Sequence, residues 1–140
     1  MIEKIFSSPT NQILVLGMNA ASLRNEVIAN NMANSDTPGF KRSEVDFENR
    51  LLKALEKKPQ PKLLTLTNPR HMQIKIENSL DGFQPKVRVI TDTSFRNDGN
   101  NVDLDIEMAN NTKNSLTYDA INRSMSNEIG MLRLAITGRR

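Results

Sequence analysis

The side chains best suited to specific chemistry in this chain are carboxamides. In the stretch ANNMANSDTPGFKR, residues 29–42, Asn30, Asn31 and Asn34 accompany Ala and Met at helical spacing and precede a Pro-Gly turn. A carboxamide donates and accepts hydrogen bonds without carrying a charge, so it can bind main-chain groups or other amides. The stretch therefore predicts directed hydrogen bonding, either between copies of the chain or at the end of its own helix.

Groups suited to catalysis are sparse in the sequence. The chain has no cysteine and a single histidine, His71, which leaves no thiolate and no histidine cluster for zinc. Glu26 and several aspartates occur without a nucleophile motif, a glycine-rich phosphate loop or metal-ligand spacing. We therefore expect no enzymatic activity, no cofactor, no metal and no small-molecule substrate.

The charge of the chain is weakly basic. It has 19 Lys and Arg against 16 Asp and Glu, a formal net charge of +3. Between Lys41 and Lys62 the basic residues are interspersed with acidic ones, which is typical of a solvated helix, and aromatic residues do not alternate with them for base stacking. We expect no nucleic-acid partner, and a basic helical nucleic-acid-binding protein or a generic coiled-coil adaptor stays as the alternative function.

An N-terminal helix from Thr10 to Asn34 must position the three asparagines. Its main stripe follows steps of three and four residues and comprises Ile13, Leu16, Ala20, Leu23, Val27, Asn30 and Asn34. A second stripe, from Leu14 to Met32, follows the adjacent flank. Two such flanks predict more than one neighbour for this helix.

A long C-terminal helix is predicted from the same spacing. Its seam comprises Leu104, Met108, Asn111, Ser115, Tyr118, Asn122, Met125, Ile129, Leu132 and Ile136. The seam is polar in its central part, and polar groups at core positions restrict register and the number of partners. Periodicity leaves two interpretations open: an ordinary helical hairpin within one chain, or a seam that packs between chains.

The segment between the two helices is irregular. Thr37, Pro38 and Gly39 have the pattern of a type II turn, with Pro first and Gly second of the central residues. Residues 43–58 predict a short helix capped by Ser43, with Phe47, Leu51 and Leu55 on one side. Alternating residues at 62–67, 72–77 and 86–92 predict short strands, and residues 97–101 predict a turn or a mobile loop.

These elements predict a mainly α fold. Long N- and C-terminal helices pack as a coiled-coil-like pair, and an irregular middle contains a short helix and short β-strands. We expect a discontinuous helical core domain of residues 1–36 and 101–140, and a middle region of residues 37–100. Polar residues interrupt every apolar run well before the roughly 18 residues of a membrane span, and no cleavable signal peptide is expected.

The order of residues at the helix end is similar to the signature of the flagellar rod, hook and filament-junction family. The matching positions are Asn30, Asn31, Ala33, Asn34, Thr37, Pro38, Gly39 and Phe40. Phe40 stands where the family frequently has Tyr, which keeps the ring. The segments LTLTNPRHM, from Leu64, and GNNVDLDIEMANNTKNSLTYDAI, from Gly99, extend the resemblance over essentially the whole chain and narrow it to the proximal rod subunits.

The resemblance implies a structural subunit of the bacterial flagellar basal body. Such a subunit belongs to the periplasmic rod, a drive shaft that transmits torque from the motor to hook and filament. It self-assembles after export through the flagellar type III apparatus, without a cleavable signal peptide. The implied partners are further copies of the chain, other rod subunits, a FliE-type adaptor, and the export gate and membrane ring.

Under this resemblance the apolar seams pack between subunits. The residues expected in these contacts are Ile13, Leu16, Leu23, Val27, Tyr118, Met125, Ile129, Leu132 and Ile136. For Asn30 and Asn31, cross-subunit hydrogen bonds and helix capping are both open. Asn34 is expected to be used locally.

Overall fold

Two long helices, one from each side of the irregular middle, pack against each other. The computed structural model describes residues 8–56, 80, 82–91 and 96–138. Its elements are α1 (Pro9–Ala33), β1 (Ser43–Asp46), α2 (Glu48–Glu56), β2 (Lys86–Val89) and α3 (Leu104–Thr137). The mainly α fold with its helix pair is confirmed. The strands predicted at 62–67 and 72–77 lie outside the described residues.

Capping residues set where both long helices begin. The Ser8 side chain accepts a hydrogen bond from Asn11 N at 3.2 Å, and Pro9 occupies the first turn of α1, where its missing N–H costs nothing. Asp103 accepts from Asp105 N and Ile106 N at the start of α3. No helix in the described part of the chain combines the length and the hydropathy that a membrane crossing requires.

Small residues on α1 let α3 approach closely. A Cβ on Gly17 would lie 3.2 Å from Ile121 Cδ1, which is tighter than ordinary van der Waals contact. Ala21 is 2% exposed, and its carbonyl accepts a hydrogen bond from Asn114 Nδ2 at 2.8 Å. This flank of α1 therefore packs closely against α3. Asn31, near the end of α1, binds Glu107, near the start of α3, so the two helices run antiparallel.

The other flank of α1 packs against the middle region. Ala20 and Val27 form a core cluster with Val45 and Phe47, and Leu16, Leu23, Leu51 and Phe83 pack around it. The rings of Phe47 and Phe83 meet edge to face with centroids 5.8 Å apart. The two apolar flanks predicted on α1 thus have two different neighbours within one chain.

The predicted helix from Ser43 is wrong in its first turn. Residues Ser43–Asp46 form strand β1, antiparallel to β2, with Ser43 opposite Val89 and Asp46 opposite Lys86. Val45 and Phe47 are each 7% exposed, so alternate residues face the core, and α2 begins only at Glu48. Ser43 is not a helix cap, because its main chain is held by Asn31.

Candidate assembly interface

Five polar residues meet where α1 ends, the turn follows and α3 begins. We call this group the junction: Asn31, Arg42, Asn100, Asn101 and Glu107. Asn31 and Asn100 are 0% exposed and Glu107 is 1% exposed. Groups buried this deeply must be hydrogen-bonded to be tolerated, so their partners define the geometry of this end of the molecule.

Asn31 binds the main chain of β1 as a neighbouring strand would. Its Nδ2 donates to Ser43 O at 2.8 Å, and its Oδ1 accepts from Ser43 N at 3.0 Å. Nδ2 also donates to Glu107 Oε2 at 3.1 Å. The amide is therefore used within the subunit, in neither of the two ways expected from the sequence.

The other signature asparagines differ from Asn31. Asn34 is used locally, as predicted: its Nδ2 donates to Asn30 O at 2.8 Å, and its Oδ1 accepts from Thr37 Oγ1 at 3.3 Å. Asn30 and Ala33 are exposed on α1. Only one of the three amides is thus part of the buried junction.

The carboxylate of Glu107 joins the first turn of α3 to the strand entry. Arg42 Nε donates to Glu107 Oε1 at 2.6 Å, and the Arg42 side chain is 24% exposed. A buried carboxylate is strongly unfavourable unless a cation and further donors satisfy it, and Arg42 and Asn31 supply both. Because Arg42 follows the turn and Asn31 precedes it, Glu107 fixes the turn from both sides.

Asn100 and Asn101 clamp the turn and the sheet. Asn100 Nδ2 lies within 3.0 Å of the carbonyl oxygens of Asn34, Ser35 and Thr37. Asn101 Oδ1 accepts from Arg42 N at 2.6 Å, and its Nδ2 donates to Ile90 O at 2.8 Å, so its amide is inserted into the ladder beyond β1 and β2. The residues predicted as a turn or mobile loop thus include two buried amides.

The turn predicted at Thr37, Pro38 and Gly39 is confirmed, and a residue outside the turn binds its main chain. Phe40 N donates to Thr37 O at 3.3 Å, and Gly39 has a φ of 73°, as the second central position of a type II turn requires. Gly39 N donates to Asp98 O at 2.9 Å. Thr37 and Pro38 are exposed and Phe40 is half-buried.

An exposed ion pair links α1 to α2. Arg24 Nη2 donates to both carboxylate oxygens of Glu48, at 2.8 and 2.9 Å. Partial burial raises the pKa of Glu48, but the hydrogen bonds and charge of Arg24 outweigh it and hold that pKa below its ordinary value. Among the described residues no group of three or more His, Asp or Glu could bind a metal.

The far end of α3 exposes apolar residues on two opposite sides of the helix. Ile129, Met131, Leu134 and Ile136 are between 51% and 80% exposed, and Arg133 is the only charged residue among positions 129–136. At about 100° per residue, Ile129 and Ile136 point to one side of the helix, and Met131 and Leu134 point to the opposite side. We call residues 129–137 the α3 tip. Apolar side chains that are exposed together on a helix normally mark a surface that another chain segment covers.

The tip extends past the start of α1. Gly17 contacts Ile121, and Asn31 contacts Glu107 in the same antiparallel register. Moving eight residues from the Gly17 contact brings Pro9, the first residue of α1, level with Ile129. Within the described chain, the tip therefore continues beyond the helix pair.

The predicted seams are divided between the inside and the outside of this chain. Leu16, Leu23 and Val27 pack in the core cluster, and Ile13 is half-buried. On α3, Tyr118, Met125 and Leu132 are half-buried, whereas Ile129 and Ile136 are 54% and 80% exposed.

Sequence reasoning missed four residues on the buried face of α3. The buried or half-buried positions in heptad spacing are Glu107, Asn111, Asn114, Tyr118, Ile121, Met125, Glu128 and Leu132. Half of them coincide with the predicted seam, and the other half lie one residue before their predicted positions: Glu107, Asn114, Ile121 and Glu128 replace Met108, Ser115, Asn122 and Ile129. Glu107 and Asn114 are buried because Asn31, Arg42 and the Ala21 carbonyl bind them. Periodicity does not include these partners, so it cannot distinguish a buried polar residue from its exposed neighbour.

Comparison with known proteins shows the family of this chain. Residues 12–41, which cover α1 from Gln12 onward and the turn, match the family described as flagella basal body rod protein. A flagellar basal body rod protein FlgB from Bacillus subtilis (strain 168) is 32% identical over 131 residues, covering 94% of this chain and 95% of the relative. A protein of the same name from Proteus mirabilis (strain HI4320) is 41% identical over 107 residues, covering 72% and 76%. The chain therefore belongs to the FlgB family of flagellar basal body rod proteins.

Proposed function

We propose that this chain is a non-enzymatic structural subunit of the proximal rod, part of the drive shaft that transmits torque from the motor to hook and filament. The observation that carries the proposal is the exposed α3 tip. Burying each of its large apolar side chains would contribute roughly 1.5–3 kcal/mol before the entropy of ordering is subtracted. Surface of this kind, on a chain of the rod family, is suited to packing between subunits.

The junction supports the same function in a different way. A subunit that carries torque must hold its parts at fixed angles. Asn31, Glu107 and Asn101 connect α1, α3 and the sheet through hydrogen bonds between 2.6 and 3.1 Å. We propose that residues 1–36 and 101–140 form the axial helical core of the subunit and that the junction fixes residues 37–100 relative to it.

The partners follow from membership of the family. We propose that the chain assembles with further copies of itself and with other rod subunits, and that it contacts a FliE-type adaptor at the export gate and membrane ring. Its location would be the periplasmic part of the basal body, reached through the flagellar type III apparatus without a cleavable signal peptide. Family membership and the apolar tip support these contacts.

No observation favours the nucleic-acid alternative. Arg24, Arg42, Arg88 and Arg96 each form an ion pair with a carboxylate of the same chain. Side chains engaged in this way are less available to phosphates. These four arginines therefore give no support to a nucleic-acid surface.

A deletion and complementation experiment tests the proposal. A flagellated strain that lacks the chain should be non-motile and should form no rod, and the intact chain should restore both. Basal bodies purified from the complemented strain should contain the chain, and cryo-images should show its helix pair in the proximal rod. Normal rods in the deletion strain, or complete basal bodies without the chain, would contradict it.

A further inference from the structure

Strand β1 has an edge that faces away from β2. Ile90 N donates to Arg42 O at 2.8 Å, and the direction of main-chain groups alternates along an antiparallel strand. The N–H and C=O of Ser43 and Val45 therefore point away from β2. Asn31 binds both groups of Ser43, whereas those of Val45 form no hydrogen bond with the rest of the described chain.

A cleft of about 310 Å³ lies along this edge, between α1, β1 and α3. Val45, Lys113, Asn114 and Thr117 are among the residues that line it. Asn114 is 5% exposed, and its Nδ2 donates to Ala21 O, but its Oδ1 accepts no hydrogen bond from a described residue. Buried carboxamide oxygens usually have a donor, so Asn114 Oδ1 is an unsatisfied acceptor on a residue that lines the cleft.

The carboxylates around the cleft are all paired. Arg24 pairs with Glu48 at 2.8 Å, Arg42 pairs with Glu107 at 2.6 Å, and Glu44 pairs with Arg88. No carboxylate in the lining is left to select a cation. Apart from the Lys113 ammonium, the groups without a partner in the described chain are donors and acceptors of the peptide type, and those of Val45 suit a carboxamide.

The free edge is only one residue long. Ser43 is occupied by Asn31, and on the other side Phe47 O accepts from Leu51 N at 2.8 Å. An added strand would need several consecutive free groups. A single carboxamide needs only one N–H and one C=O, and Asn31 shows on the adjacent residue that this pairing fits.

We propose that the cleft receives an asparagine side chain from the exposed face of α1 or α3 of a second copy of this chain. The incoming carboxamide binds Val45 N and O as Asn31 binds Ser43. The exposed asparagines available on the long helices are Asn19, Asn25, Asn30, Asn122 and Asn127. The inference rests on the proposed rod function, because that function brings copies of the chain into contact.

Disulfide trapping tests the proposal, because the chain has no cysteine of its own. Thr117→Cys is co-expressed with each of the five Asn→Cys variants, and basal bodies are isolated under oxidising conditions. We expect a covalent dimer for at least one pair. Thr112→Cys is the matched control: both threonines are exposed on α3 and bind the carbonyl four residues back, but Thr112 does not line the cleft. It should give no dimer with the same partner.

The outcomes separate this inference from the rod function itself. If the chain is present in rods but none of the five pairs cross-links, or Thr112→Cys cross-links equally well, the cleft proposal is overturned and the rod function stands. If the chain is absent from basal bodies, the rod function is overturned first. Cross-linking of Thr117→Cys to another protein alone would also overturn the second copy as occupant.

A cleft-filling variant gives an independent measurement. Thr117→Trp should reduce incorporation into rods by about tenfold or more, which corresponds to the loss of one well-packed contact, while Thr112→Trp should not. The thermal transition of the purified monomer should stay unchanged in both. Equal incorporation of the two variants would overturn the proposal, and the disulfide pairs decide the question if Thr117→Trp does not fold.

Discussion

The two ends of the α1 and α3 pair differ in the polarity and the exposure of their side chains. At the junction, Asn31, Asn100 and Glu107 are polar, between 0% and 1% exposed, and hydrogen-bonded within the chain. At the α3 tip, Ile129 and Ile136 are apolar and 54% and 80% exposed. The first end has its partners inside the subunit, and the second end presents surface that a partner has to cover.

The difference shows that hydrogen bonding and apolar burial have different roles in this subunit. Hydrogen bonds depend on distance and angle, so the junction specifies register and direction. Apolar burial is non-directional and scales with area, so the tip supplies association free energy without prescribing a single geometry. Changes at the junction should therefore affect the monomer, and changes at the tip should affect assembly.

The largest expected effect is on assembly. Ile129→Asp places a charge on the exposed tip, where Ile129 is 54% exposed and little packing within the described chain is lost. We expect rod formation and motility to be abolished, while the free energy of unfolding of the monomer changes by less than about 0.5 kcal/mol, as for surface substitutions. Ser126→Asp, which adds the same charge at an exposed polar position, should leave assembly intact. A large loss of monomer stability in Ile129→Asp would mean that the tip packs within its own chain.

The next largest effect is on the stability of the junction. Glu107→Leu removes the partner of Arg42 and leaves Asn31 without one of its acceptors, so the free energy of unfolding should fall by roughly 3 kcal/mol. Glu128→Leu, at a half-buried position on the same face of α3, should cost less than about 0.5 kcal/mol. Chemical denaturation of both variants measures the contrast, and equal losses would show that the buried ion pair is not what distinguishes the two ends.

A smaller loss of stability is expected when Asn100, which binds the carbonyls of the turn, is replaced. Asn100→Ala leaves three carbonyls and Val102 N without the amide that binds them, which should cost about 2 kcal/mol. Asn97→Ala alters an exposed amide in the same segment and should be nearly neutral. Thermal unfolding compares the two, and a neutral Asn100→Ala would mean that solvent replaces the amide at this site.

At Gly39 the cost of a substitution should depend on the backbone conformation that the new residue tolerates and not on the size of its side chain. Gly39 has a φ of 73°, and a Cβ added there would meet nothing within 4 Å, so the cost of substitution is conformational. Gly39→Val should destabilise by about 1–2 kcal/mol and impair rod formation, because a β-branched residue resists the left-handed region. Gly39→Asn should recover most of the loss. Normal rods and stability in Gly39→Val would show that the turn can adopt another conformation.

The smallest expected effect is on the pH dependence of the free energy of unfolding, through the ion pair of Arg24 and Glu48. Because Arg24 lowers the pKa of Glu48 in the folded state, the stability from the pair is present at neutral pH and is lost as the pH falls through that lowered pKa. The Glu48 side chain is 64% exposed, so the contribution should stay below about 0.5 kcal/mol. Glu48→Gln should remove this part of the acid dependence. Arg24→Gln should act the same way, and additive losses in the double variant would contradict a direct pair.

Elements whose chemistry is local could be predicted from the sequence. The stripe from Ile13 to Val27 predicted α1, and Pro38 and Gly39 predicted the turn that the structure contains. Ser8 and Asp103 accept main-chain hydrogen bonds at positions where helix-capping residues are favoured. Each of these features is decided by residues within one or two turns of the chain.

Elements that depend on distant partners could not be predicted in this way. Residues 43–46 form a strand because Asn31 and β2 hold them, although a serine cap also fitted the sequence. Glu107 and Asn114 lie on the buried face of α3 because Arg42 and Ala21 bind them. Hydropathy places such residues outside, since it does not include the partner that makes their burial favourable.

The hydrogen bonds of the junction also determine the order in which segments of the chain can reach their folded positions. Asn100 and Asn34 are separated by 66 residues, and Asn31 and Glu107 by 76. The entropic cost of closing such loops is incurred before their contacts form, and long-range contacts form late. A chain that emerges amino terminus first can therefore form α1 and its turn early, but α1 acquires its final direction only after residue 107 is free. The last described segment to emerge is the α3 tip, so the surface for association becomes available after the geometry that orients it.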